Sequence, residues 1–233
     1  MKPRAILTIL AVAGMAVLLF LPADLRAAEP VALDDIGTTC IQSPLDDCKV
    51  LTGGFLNVSD YGDNNGAPYL AWQTQFGSTT DDGVIGGFVL FTHDGTDWTV
   101  LDSGFDGFFE VPTLNSDGLL HIPGYGQGTA SFNTDRLYQG STDTTASSGW
   151  TRIDMDKWLN DIGPMLPAGL EIWKGVSYDF SNPWAGLTAQ TSLWNADDGN
   201  CCPSGGSAVI TLEVQDNALV ATSVAHTPPA KSK

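Results

Sequence analysis

Apolar residues in the first half of this chain form short runs that Gly, Asp and Asn interrupt about every ten residues, a spacing typical of antiparallel β structure. The run at 86–93 is followed by Asp94-Gly95 and a second β-rich segment at 96–101, which predicts a β-hairpin. Asn, Ser, Asp and Gly at 115–118 have the same turn chemistry. Residues 50–120 are therefore predicted to form an antiparallel meander.

The C-terminal part of the chain also has β character. Alternate positions of 207–214 are apolar, and Gln215-Asp216-Asn217 separates this stretch from 218–224, which predicts another pair of strands. Residues 169–176 and 187–194 are expected to be strands as well. The predicted fold class is mainly β, an antiparallel meander that forms either a sandwich or a small propeller-like structure.

One short helix is predicted near residues 154–163. Asp154 can accept hydrogen bonds as its N-cap, and Gly163-Pro164 would end it. Three tryptophans are expected in the core: Trp98, Trp158 and Trp173.

Residues 1–27 have the order of a secretory signal peptide, with a charged start, an apolar middle and small residues at the end. A retained membrane anchor is the alternative interpretation of the apolar stretch. The rest of the chain predicts one β-rich domain over 28–224 and a disordered tail over 225–233. We therefore expect a periplasmic or extracellular protein that has no integral membrane association after cleavage.

The chain is strongly acidic, with 27 Asp and Glu against 10 Lys and Arg and a formal net charge of −17. Such a surface repels nucleic acid and anionic lipid, and it attracts cations or a basic partner. The predicted partners are a cationic protein or a carbohydrate, and nucleic acid is excluded. Solubility or adaptation to salt explains the same charge without any ligand.

Four cysteines in an exported protein predict disulfides. Cys40 and Cys48 would close a short polar loop, which leaves the adjacent Cys201 and Cys202 to form a vicinal bridge. The alternative is a crossed pairing between the two regions, which closes a much longer loop and should stabilise the fold more. The local pairing is the simpler closure, and both arrangements stay open.

The sequence lacks the common catalytic signatures: a nucleophile elbow, a zinc-protease helix, a phosphate-binding loop and a dinucleotide fingerprint. His93 and His121 could share a base role with an Asp, although surface or cross-strand positions explain them more simply. Glycoside hydrolysis needs only two carboxylic acids at a fixed separation. Three acids in or beside apolar segments, where burial could raise a pKa, are candidates for it: Glu110, Glu171 and Asp179. Structural cross-strand carboxylates are the favoured interpretation of these residues.

Calcium is the one cofactor that the sequence suggests. Asp60, Asp63 and Asn65 offer side-chain oxygens around a Gly-containing turn, and Asp81-Asp82-Gly83 forms a second cluster. Neither cluster has the EF-hand spacing, and an ordinary turn explains each of them.

A Gly-rich stretch at 123–133 is the candidate binding loop. Its alternate glycines permit close backbone approach or positive φ, and the residues between them are expected to project outward. A nucleotide site is not favoured, because no helix follows and Arg136 is the only positive charge close in sequence. The candidate binding residues are Tyr125, Gln127, Thr129 and Asn133.

Three segments resemble parts of exported bacterial proteins of unknown function: GTxSFN at 128–133, LPxGLEIWKG at 166–175 and DGNCCPSGG at 198–206. The resemblance covers roughly the C-terminal half. It implies that the three segments belong to one domain, and it implies no catalytic residue.

The sequence therefore favours an exported acidic β domain with a non-catalytic binding or interaction role. The alternative is a cell-envelope or polysaccharide hydrolase that uses paired carboxylates, and a salt-tolerance protein without a ligand is a third interpretation.

Overall fold

The computed structural model describes residues 29–56, 69–93, 95–127, 132–140, 149–181 and 186–230. The predicted signal peptide and the candidate calcium ligands Asp60, Asp63 and Asn65 lie outside these ranges. Within them the protein is mainly β, with antiparallel sheets and one short α-helix, which confirms the predicted fold class. No helix in the described part of the chain has the length and apolar character needed to cross a membrane.

The first sheet has four antiparallel strands in the order β1-β2-β3-β4. These are β1 (Asp46–Leu56), β2 (Tyr69–Thr79), β3 (Gly83–His93) and β4 (Trp98–Gly104). The predicted hairpin joins β3 to β4, but pairing ends at His93 and Trp98, so the connection is longer than a two-residue Asp-Gly turn. Eight consecutive residues of β3 are buried, because both faces of this sheet are covered.

An N-terminal segment, residues 31–41, covers one face of the first sheet. Its backbone is held by two buried glutamines of β2. Gln73 Nε2 donates a hydrogen bond to the carbonyl of Ile36 at 2.6 Å. Gln75 Nε2 donates to the carbonyl of Ile41 at 2.9 Å. Buried amide side chains therefore take the place of a strand partner for this segment.

A disulfide between Cys40 and Cys48 ties the same segment to β1, which confirms the local pairing for these two cysteines. The two residues are eight positions apart. Closure of a loop this short is worth roughly 2–3 kcal/mol on the chain-entropy model.

The central sheet has the strand order β10-β9-β7-β6. Its strands are β6 (Thr113–Leu114), β7 (Leu119–Ile122), β9 (Arg136–Gly140) and β10 (Trp150–Ile153), and β5 (Phe108–Phe109) pairs with β8 (Gly124–Tyr125) in a separate ribbon. Successive residues of β7 face opposite sides. Leu120 and Ile122 pack with the first sheet, whereas Leu119 packs into a second core on the other side.

The third sheet lies across that second core and has the order β12-β13-β15-β16. Its strands are β12 (Ser177–Asp179), β13 (Leu187–Ser192), β15 (Ser207–Gln215) and β16 (Ala218–Thr227), and β11 (Leu170–Glu171) pairs with β14 (Trp194–Asn195). Two-residue turn positions Asp216 and Asn217 both have positive φ, as a tight hairpin requires. The face-to-face stacking of sheets corresponds to the sandwich alternative.

The predicted helix is α1 (Lys157–Asp161), and a 3-10 helix, Gly163–Met165, follows it. The N-cap is Asp156 and not the predicted Asp154, which lies two residues before it. The Asp154 carboxylate nevertheless accepts hydrogen bonds from the backbone N–H groups of Asp156 and Lys157, where the chain enters the helix. Trp158 is fully buried beneath this turn, in the second core.

Three expectations need correction. Only Leu170–Glu171 of the stretch 169–176 is a strand, because the chain then turns at Gly175, which has a φ of +72°. The tail is ordered further than residue 224, since β16 pairs with β15 as far as Thr227. Trp173 is 44 % exposed and not a core residue.

We predict that Gln73→Ala destabilises the fold by about 1–3 kcal/mol, because the buried carbonyl of Ile36 loses its hydrogen-bond donor. Denaturant unfolding measures the change. Gln190→Ala, at an exposed strand position, is the control and should alter the free energy of unfolding by less than about 0.5 kcal/mol. Equal effects of the two substitutions would contradict the anchoring role.

Candidate functional site

The end of the Gly-rich stretch is attached to the third layer through Asn133. Its side-chain amide pairs with the backbone of Val176 in both directions: Oδ1 accepts from the N–H at 2.9 Å, and Nδ2 donates to the carbonyl at 2.6 Å. The side-chain amide of Asn133 thus makes the two hydrogen bonds that the backbone of a neighbouring β-strand would make with Val176. It places residues 132–135 beside residues 173–176.

Asn133 also orients a buried carboxylate. Its Nδ2 lies 2.9 Å from Asp135 Oδ2, and His121 Nε2 lies 2.7 Å from Asp135 Oδ1. The His121 and Asp135 side chains are 8 % and 7 % exposed, so the pair is enclosed. The His121 ring also contacts Phe180 edge-on, with centroids 4.8 Å apart. His121 is therefore a buried residue with an Asp partner, and not a surface residue.

Beside this pair is a cleft with the exposed Trp173 at its rim and the buried Lys174 at its base. The Lys174 ammonium lies 4.2 Å from the centroid of the Trp173 ring and 5.8 Å from that of Phe132. Cation–π contacts of this kind stabilise a desolvated ammonium by about 2 kcal/mol. Lys174 is almost fully buried, whereas Trp173 and Phe132 are among the most exposed large apolar residues described. The two exposed rings therefore rest on a fixed polar base.

The Cys-Cys loop reaches the same place. Lys174 Nζ donates a hydrogen bond to Asn200 Oδ1, so the residue before Cys201 touches the base of the cleft. The 128–133, 166–175 and 198–206 segments, singled out in the sequence by resemblance, are thus joined by contacts through Phe132, Lys174 and Asn200.

Asp198 organises the Cys-Cys loop. Its carboxylate accepts hydrogen bonds from Ser204 Oγ at 2.6 Å and from the N–H groups of Asn195 and Ser204 at 2.7 and 2.8 Å. These bonds, led by the Ser204 hydroxyl, lower the pKa of Asp198 below its ordinary value of 3.8. Within this loop Cys201 and Cys202 are joined by a vicinal disulfide and are both exposed.

Two adjoining pockets open at this place. The aromatic cleft, about 190 Å³, is lined by Phe132, Trp173, Lys174 and Tyr178 among others. The polar pocket, about 550 Å³, is lined by Asp106, Arg136, Arg152, Asp154 and Asn217 among others. Four residues line both pockets: Asn133, Asp135, Met155 and Asp156.

Tyr178 contributes a neutral hydroxyl to the aromatic cleft. Burial raises its pKa well above the ordinary value of 10.0, so the hydroxyl stays protonated. It accepts a hydrogen bond from Trp158 Nε1 at 3.2 Å. The cleft therefore offers a hydroxyl, an ammonium, carboxylates and an amide around two exposed rings.

The structure separates the candidate residues of the binding loop. Asn133 lines both pockets, Tyr125 and Gln127 are exposed, and Thr129 lies outside the described residues. Tyr125 stacks near Phe108, with centroids 5.7 Å apart, and lines neither pocket.

The expected burial of the candidate acids is wrong, because Glu110, Glu171 and Asp179 are all exposed. Asp135 is the enclosed carboxylate instead. Asp82 serves as a turn residue, since its N–H and carboxylate both bond to the Thr79 hydroxyl. Across the described ranges, no group of three or more His, Cys, Asp or Glu side chains is placed to hold a metal ion.

Sequence reasoning missed Trp173, Lys174 and Asp135 as site residues. The available signal for Trp173 was local: Gly175 permits a turn directly after it, where a strand had been expected. No signal in the sequence pairs Asp135 with His121, because the contact depends on how β7 and the start of β9 align. Comparisons with protein-family models, curated proteins and solved structures found no match to the chain.

We predict that replacing Cys201 and Cys202 together by Ser costs less than about 1 kcal/mol of global stability, because the bridge closes almost no chain. Chemical shifts of Asn200 and Lys174 should change, since the bridge is adjacent to their contact. The matched control, Cys40→Ser with Cys48→Ser, should cost about 2–3 kcal/mol in the same denaturant unfolding experiment. A loss of several kcal/mol in the first double mutant would contradict a local role.

A second expectation concerns pH. Because the folded-state pKa of Asp198 is lowered, its hydrogen bonds stabilise the loop above pH 3.8, and this contribution is lost as the pH falls through the folded pKa below that value. Amide hydrogen-exchange protection at Asn195 and Ser204 should decrease over that acidic range. Asp198→Asn should reduce this hydrogen-exchange protection already at neutral pH, whereas Asp197→Asn, a change at the exposed neighbouring residue, should not.

Proposed function

We propose that this protein is an exported, non-catalytic binding domain and that its ligand binds in the aromatic cleft. The observation that supports this most directly is the exposure of Trp173 and Phe132 around the buried ammonium of Lys174. Exposed aromatic rings in a concave site provide a large contact area with little side-chain entropy to lose on binding.

The rigidity of the rim supports the same proposal. Asn133 bonds to Val176, Lys174 bonds to Asn200, and Trp173 packs edge-on against the buried Trp194 at 6.2 Å. A rim that is fixed before binding loses less entropy when the ligand arrives.

A paired-carboxylate hydrolase is the weaker proposal. The acids that the sequence selected for that role are exposed, and neither pocket contains Glu110, Glu171 or Asp179. Asp135 is engaged by His121 and Asn133 in a closed set of hydrogen bonds, which suits a supporting role. The two disulfides are compatible with an oxidising compartment outside the cytoplasm.

The proposal predicts that Trp173→Ala weakens binding of the ligand at least tenfold, about 1.4 kcal/mol, because the exposed ring supplies apolar contact area. The probes are peptidoglycan, neutral polysaccharides and a basic lysozyme, each tested against the mature protein by pull-down and calorimetry. Trp173→Phe should retain most of the affinity.

Phe55→Ala is the matched control, because Phe55 is a 60 % exposed aromatic residue that lines neither pocket. The affinity of the Phe55→Ala variant for each probe should equal that of the wild type. The proposed function would be contradicted if Trp173→Ala and Phe55→Ala reduced binding equally. It would also be contradicted if the protein released shorter products from any polysaccharide.

A further inference from the structure

We propose that the ligand is an uncharged oligosaccharide of at least two sugar units, with one ring stacked on Trp173 and the neighbouring unit bound by hydrogen bonds in the polar pocket. This inference rests on the proposed function and adds the chemical class of the ligand and its placement.

The two pockets adjoin each other. Asn133, Asp135, Met155 and Asp156 line both of them, so a ligand of two linked rings is needed to reach from one pocket into the next. The aromatic cleft alone, about 190 Å³, is smaller than the range of about 300–1,000 Å³ that is usual for ligand pockets, whereas the polar pocket, about 550 Å³, lies within it. A ligand that stacks on Trp173 and also fills the site must therefore extend beyond one ring.

Both arginines of the polar pocket already have carboxylate partners. Arg136 binds Asp106 through two hydrogen bonds of 2.9 and 2.8 Å. Arg152 Nη1 lies 3.6 Å from the carboxylate of Asp102. These pairs place directed donors and acceptors in the pocket, and with Asp135, Asp154 and Asp156 beside them they favour hydroxyl groups over an anionic ligand.

Two carboxylates of this pocket already accept hydrogen bonds. Asp135 accepts from Asn133 and faces His121, and Asp154 accepts from two backbone N–H groups at the start of α1. At Asp135 and Asp154 a cationic ligand would have to compete with these partners. An anionic ligand would meet Asp106, Asp154 and Asp156 at close range.

The Trp173 ring is better suited to a neutral ligand than to a cation. Its π system already interacts with the Lys174 ammonium at 4.2 Å. A second cation brought to the same ring, such as a lysine of a basic protein, would be repelled by that ammonium. A neutral sugar ring has an apolar C–H face to lay against the indole and hydroxyl edges for the polar groups around it, so it avoids this repulsion.

The test is calorimetric titration of the mature protein with uncharged oligosaccharides of one to four units, in glucose and N-acetylglucosamine series. We expect affinity to rise at least tenfold from one unit to three, and to change less than about twofold between low and physiological salt. Trp173→Ala should weaken binding at every length. Arg152→Ala should weaken the binding of trimers and leave that of single sugars unchanged, with Phe55→Ala as the unaffected control.

The outcomes separate this inference from the proposed function. If no oligosaccharide binds, but a basic lysozyme or an acidic polymer does and Trp173→Ala abolishes that binding, the ligand class is wrong and the binding function stands. Equal affinity for one and three units, or an Arg152→Ala effect on single sugars, overturns the two-pocket placement. If Trp173→Ala changes the binding of no probe, the proposed function itself fails.

Discussion

The hydrogen bond between His121 and Asp135 is the interaction on which the arrangement of the cleft depends. The central sheet is covered on both faces, so alternate residues of β7 must enter different cores. His121 falls on the face that meets the third layer, where a polar ring needs a partner. Asp135 meets that need, and Asn133 in turn orients Asp135 while pairing with the backbone of Val176.

The same set of contacts determines where the exposed rings lie. Val176 is fixed by Asn133, and Gly175 turns the chain directly before it. Trp173 and Lys174 therefore project at the boundary between the central and third layers. The Cys-Cys loop is held to Lys174 through Asn200, and its own shape is maintained by Asp198. The hydrogen-bond network of His121, Asp135 and Asn133 thus does two things. It pairs a buried polar residue of the central sheet, and it positions the residues of the cleft at the edge of that sheet.

In the first sheet, buried polar groups are also paired, here through side-chain amides. Gln73 and Gln75 lie on a buried face, and their side-chain amides donate hydrogen bonds to the carbonyl groups of Ile36 and Ile41 in the N-terminal segment, residues 31–41. The short disulfide Cys40–Cys48 secures the end of this segment. The two glutamines and this disulfide line neither pocket, so we expect that mutations can alter the stability of this segment and binding at the cleft separately.

The sequence by itself determined the β class, the hairpins and the short helix, because turn chemistry and alternation are local properties of the chain. It also indicated the pairing of neighbouring cysteines and the Gly-rich stretch that includes Asn133. It misplaced Trp173 in the core, and it selected Glu110, Glu171 and Asp179 in place of Asp135. Those positions are decided by long-range packing: which face of β7 is enclosed, where residues 132–135 meet 173–176, and how Lys174 reaches Asn200. Contacts between residues so distant in sequence leave no periodic signal, so only the tertiary structure could bring them together.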